Sequence, residues 1–121
     1  MRSEPAELSL DRQSDISILI VHCSCAADGS AETIARTLVE ERLAACVSVV
    51  PGMRSTFRWE GETHTDAEVL LLIKTTRERY PALAARLLEL HPYELPEIIA
   101  VDVSAAHAPY AEWIEYEVGA P

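Results

Sequence analysis

Val47-Ser48-Val49-Val50-Pro51-Gly52-Met53-Arg54-Ser55-Thr56-Phe57-Arg58-Trp59-Glu60-Gly61 is the stretch that decides the fold. Val47 to Val50 opens a strand, and Pro51-Gly52 interrupts it as a bend or bulge rather than a full stop. Beyond the interruption Met53, Ser55, Phe57 and Trp59 alternate with Arg54, Thr56 and Arg58, the period-two pattern of a strand with two unlike faces. Glu60-Gly61 marks a hairpin turn. Ala67 to Thr75 forms the returning strand, with an apolar middle expected to be covered on both faces. The result is a long two-stranded arm, whose edges need pairing or blunting.

Outward from the arm, Ile16 to Val21 is β-branched and apolar and reads as a buried strand. Asp28-Gly29-Ser30 supplies turn and cap chemistry for a helix, with Glu32 suited to its positive end. Ile34, Ala35, Leu38, Val39, Leu43 and Cys46 continue that helix at helical spacing. Pro81 opens a second helix, carried by Leu83, Leu87 and Leu90. Pro96 to Val103 reads as a fourth strand, and Ala108-Pro109 starts a short last helix bearing Tyr110, Trp113 and Ile114. The order β-α-β-β-α-β plus a C-terminal helix predicts an α+β, ferredoxin-like sandwich. Two helices cover only one face of a four-stranded sheet, so the other face is expected to meet another copy of the chain.

The chain of 121 residues suffices for one domain, placed at 16–121 behind a flexible tail at 1–15. The net charge of −10, from 10 Lys+Arg against 20 Asp+Glu, argues against a nucleic-acid binder and against attraction to an anionic membrane. It suits cations or a basic partner better. The longest aliphatic run, Val69 to Ile73, falls far short of the roughly 18 residues a membrane span needs. Met1 to Asp15 lacks the apolar core of a secretory signal. With an odd number of cysteines, 3 in all, this leads to the expectation of a reducing cytoplasm and no disulfide framework.

His91-Pro92-Tyr93-Glu94-Leu95-Pro96-Glu97 packs an imidazole, a phenol and carboxylates into a loop stiffened by two prolines. It is either a rigid helix-to-strand connector or the mounting of a site. Cys23-Ser24-Cys25 ends the first strand, and residues two apart on a strand share a face. Its thiols are either core packing or ligands for copper(I) or zinc. Glu68 and Lys74 share one face of the third strand, either as ligands or as polar strand ends. Trp59 and Trp113 read as interface or core anchors. No nucleophile elbow, no dyad spacing and no phosphate-cradling glycine pattern is present, so no enzyme is expected.

Leu38-Val39-Glu40-Glu41-Arg42-Leu43-Ala44-Ala45-Cys46-Val47, Val50-Pro51-Gly52, Trp59-Glu60-Gly61, Glu68-Val69-Leu70-Leu71, Ile73-Lys74-Thr75, His91 to Ile98 and Tyr110 to Ile114 together resemble the CutA divalent-cation-tolerance proteins. The resemblance runs from about Ile16 to Glu117. It implies a ferredoxin-like subunit in a very stable homotrimer, with arms pairing across subunits and a likeness to trimeric PII-type signalling proteins. It also implies tolerance to divalent metals, copper above all, with no obligatory cofactor. The family's metal cysteine falls on Cys23 and its histidine on His91, to which Glu68 is added as an acidic ligand. Trp59, Lys74, Tyr93 and Glu97 are the expected lining of an inter-subunit cleft, where a small metabolite or a protein partner is the alternative occupant. The chain departs from the pattern at Leu90, where some members carry a second histidine, and at Phe57-Arg58, where aromatic pairs are usual. It also departs at Cys23-Ser24-Cys25, where the role of Cys25 is open.

Overall fold

The computed structural model describes residues 11–12 and 17–119. The elements are β1 (Asp11–Arg12), β2 (Ile18–Ala26), α1 (Ser30–Glu40), β3 (Cys46–Trp59), β4 (Glu62–Thr76), α2 (Tyr80–Leu90), β5 (Ile99–Asp102), β6 (Ala106–His107) and α3 (Ala108–Val118). Four strands form an antiparallel sheet in the order β3-β4-β2-β5, and β1 pairs with β6 in a separate two-stranded ladder. Asp11–Arg12 is the described part of the stretch read as a tail; residues 1–10 and 13–16 lie outside the described residues.

The arm follows its sequence closely. Val50 pairs with Leu70 and Met53 with Glu68, so one extra residue is accommodated at Pro51-Gly52 as a bulge, with Gly52 at φ 83°. The turn residues Glu60 and Gly61 both take positive φ, 53° and 83°, the backbone of a two-residue hairpin turn whose twist matches the strands. Several boundaries differ from the sequence reading: β4 begins at Glu62 and not at Ala67, β5 spans Ile99–Asp102 within the stretch read as Pro96 to Val103, and α1 ends early. The helical pattern continues in sequence to Leu43 and Cys46, but α1 stops at Glu40. Arg42 turns left-handed at φ 60°, and the amides of Leu43 and Ala44 fold back onto the carbonyl of Leu38. Cys46 therefore begins β3 instead of ending a helix. The first strand, read from Ile16 with Cys23-Ser24-Cys25 at its end, spans Ile18–Ala26, and Cys23 and Cys25 keep the buried face while His22 and Ser24 take the other.

Directly opposed residues share a face, so Val21, Cys23 and Cys25 lie with Ile73, Leu71 and Val69. That face meets Ile34 and Leu38 of α1 and Leu83 and Leu87 of α2 in the main core. A smaller core joins Ile18 and Ala45 to Ala111, Ile114 and Val118 of α3. Arg42 and Arg79 hold that helix by donating to the carbonyls of Tyr116 and Val118, the unpaired acceptors of its last turn. The opposite face of the sheet keeps Ile20, Leu70 and Leu72 half-buried and Val50, Ile99 and Val101 exposed. No helix of the described residues is long and apolar enough to cross a membrane.

Candidate metal centre

Strand β2 delivers Cys23 and Cys25 to the end of the main core, both without solvent exposure. His91, just past α2, closes over them as Pro92 forces the chain out of the helix; its backbone is extended at ψ 131° and its amide still bonds the carbonyl of Leu87. The donor atoms of Cys23, Cys25 and His91 all lie within 4.8 Å of one another. His91 Nε2 stands 3.8 Å from Cys25 Sγ, which makes Cys25 an integral member of the cluster. Sequence reasoning put Cys23 and His91 forward and left Cys25 open; the signal that identifies it is the continuation of β2, which sets both sulfurs on one face.

The hydrogen bonds of His91 fix its tautomer. Nδ1 accepts the amide of Tyr93 at 3.1 Å, so it carries no proton. Nε2 faces the carbonyl of Ser24 at 2.8 Å, which only accepts, so Nε2 holds the hydrogen. The imidazole thus clamps the peptide between the two cysteines. The thiols are unlike each other. The neighbouring Cys25 sulfur and burial hold the Cys23 pKa above the usual thiol value, whereas the Cys23 sulfur lowers that of Cys25 and burial opposes the shift.

The other expected site residues lie around this cluster or away from it. Glu68 is buried, but strand alternation puts it on the sheet face opposite the thiols, and its carboxylate accepts the Tyr93 hydroxyl at 2.7 Å. Burial and that carboxylate raise the phenol's pKa. Glu97 accepts the Ser24 hydroxyl at 2.7 Å, so the loop from His91 to Glu97 is tied to β2 from both sides. Lys74 is remote, roughly 20 Å along β4 from Glu68 at about 3.3 Å per residue; it donates to the Ser48 hydroxyl at 2.7 Å. Trp59 sits at the arm tip beside the turn and is partly exposed. Within one chain Trp59 and Lys74 do not share a cleft with Tyr93 and Glu97. Two thiols and an imidazole form a soft donor set that suits copper or zinc and not a hard cation. All three donor residues are buried.

The fold is thus α+β, with a buried cluster of two thiols and an imidazole, a soft donor set, at the end of its central sheet. The profile of the CutA1 divalent ion tolerance protein family matches residues 19–117. The divalent-cation tolerance protein CutA of Thermus thermophilus is 49% identical over 89 residues, covering 74% of this chain and 86% of that protein. The human protein CutA is 40% identical over 98 residues, or 81% of this chain, and the match spans 55% of the human protein's length. The crystal structure of CutA from Xylella fastidiosa superposes with a TM-score of 0.83 at 47% identity, covering 85% of this chain and 99% of that one. The chain belongs to the CutA1 divalent ion tolerance family.

Proposed function

We propose that the chain is a non-enzymatic, metal-responsive protein of the reducing cytoplasm, a ferredoxin-like homotrimer that binds divalent, copper-type ions at or beside its inter-subunit clefts. The observation that carries this reading is the buried convergence of Cys23, Cys25 and His91 in a protein of net charge −10. Such donors bind a soft ion and release protons as they do so, so affinity falls as pH drops. The trimer is supported by the half-exposed aliphatic face of the sheet and by the long edge of β3, which pairs with no further strand among the described residues. Calorimetric titration of copper(I) and zinc under reducing conditions tests the metal reading. Saturable binding near one ion per chain, lost in Cys23→Ser/Cys25→Ser, is the expected result; equal heats for the two proteins contradict it. Sedimentation at micromolar concentration tests the assembly, with a trimer expected.

A second reading, a small-metabolite or protein-binding trimer of PII type, draws on Lys74, whose ammonium is held by a hydroxyl on the half-exposed face. A thermal-shift screen separates the two. Stabilisation by an organic acid or nucleotide, with no response to metals, favours the second.

A further inference from the structure

We infer that the ion this site selects is a monovalent thiophilic one, copper(I) in class, held between the sulfurs of Cys23 and Cys25, with His91 as a positioning residue and not a ligand. The inference rests on the metal-capture reading above, keeps its copper-type site and replaces the divalent ion by copper(I). A neutral imidazole has one lone pair able to bind a metal, and in His91 that lone pair is on Nδ1, engaged by the Tyr93 amide. The nitrogen beside Cys25 is Nε2, which carries the hydrogen and donates it to the Ser24 carbonyl. Ligation through Nε2 would move the proton to Nδ1, where it would confront the Tyr93 N–H. It would also leave the carbonyl of Ser24 without its donor in a buried place. The ring is therefore built to hold the backbone of Cys23-Ser24-Cys25, with Nε2 beside the Cys25 sulfur at 3.8 Å, an outer contact that orients the thiol.

What remains for an ion is a pair of sulfurs on one strand face, inaccessible to water. Glu68, the nearest candidate for a further ligand, is on the other face and engaged by Tyr93. Zinc in a closed site takes four ligands. Thiolates with no further donor suit copper(I), which accepts two-coordinate sulfur, and not the divalent ions that need more ligands. Each thiol that binds gives its proton to solvent.

The test is X-ray absorption at the copper edge of the intact protein loaded anaerobically with copper(I), together with chelator competition on the wild type, His91→Gln, His91→Ala and Cys25→Ser. The glutamine amide in H91Q places a donor where Nε2–H stands, so rescue by glutamine separates positioning from ligation. Expected are sulfur scatterers with no imidazole, near-wild-type affinity in H91Q, a loss of about 10–100-fold in His91→Ala and a larger loss in C25S. Competing zinc is expected to leave the copper in place. Imidazole scattering in the wild type, or H91Q binding as weakly as His91→Ala, overturns the inference while leaving metal capture intact. No copper bound by the wild type overturns both.

Discussion

The root of the sheet and the tip of its arm use the same hairpin in opposite ways. At the root, Leu71 and Ile73 of β4 are wholly buried beneath two helices, and the buried hydroxyl of Thr75 donates to the carbonyl of Leu43 at 2.7 Å. At the tip, Phe57 and Trp59 are partly exposed, and the contacts are local ones, such as Phe57 stacked on His64 and Thr56 bonded to Thr65 at 3.0 Å. An isolated two-stranded ribbon is marginal in water. The root is thus stabilised by the chain's own core, whereas the arm has apolar surface left to give to a neighbour. The candidate metal centre is on the self-sufficient side of that divide.

Mutations sharpen the contrast. Leu71→Ala opens a cavity in the main core and is expected to cost about 2–5 kcal/mol in urea unfolding, whereas Phe57→Ala at the tip should change the unfolding of the single chain by far less and act on assembly instead. Comparable losses at both positions would erase the distinction. Next in size is His91→Ala, which leaves the Ser24 carbonyl and the Tyr93 amide without partners, for about 1–3 kcal/mol; chemical denaturation of the metal-free protein measures it. Gly61→Ala places a side chain at φ 83° in the turn and should cost about 1–2 kcal/mol, read as faster hydrogen exchange along the outer arm with the root unchanged.

Smallest is Tyr93→Phe, which removes one hydrogen bond to Glu68, about 0.5–1.5 kcal/mol at neutral pH. Its sign with pH is fixed by the raised phenol pKa. A folded-state value above the unfolded one gives a contribution that is complete below about pH 10 and lost as pH rises beyond it. The wild type should therefore lose its advantage over Y93F in alkali. A gap between the two that widens above about pH 10 would contradict the assignment.

Much of this arrangement was legible in the sequence. Alternation in Met53 to Trp59, the Glu60-Gly61 turn and the leucine spacing of α2 are local signals, and the elements stand where those signals put them. The bulge at Pro51-Gly52 was legible for the same reason. The end of α1 was not, because the apolar spacing runs on through Leu43 while a single left-handed residue, Arg42, breaks the helix. The site was half legible. Cys23 and His91 were marked by residue type and by resemblance, but Cys-x-Cys on a strand looks the same as core packing until its partner is known. That partner is the His91 ring, and its tautomer depends on a carbonyl 67 residues earlier in the chain. No periodicity encodes such a contact.

Native mass spectrometry of the wild type and of Cys23→Ser/Cys25→Ser after copper(I) loading under reducing conditions tests the metal centre and the assembly together. A trimer holding one ion per chain in the wild type, and a trimer holding none in the double variant, is the predicted outcome. Equal copper in both proteins would place the ion elsewhere and contradict the assignment of the buried thiol pair.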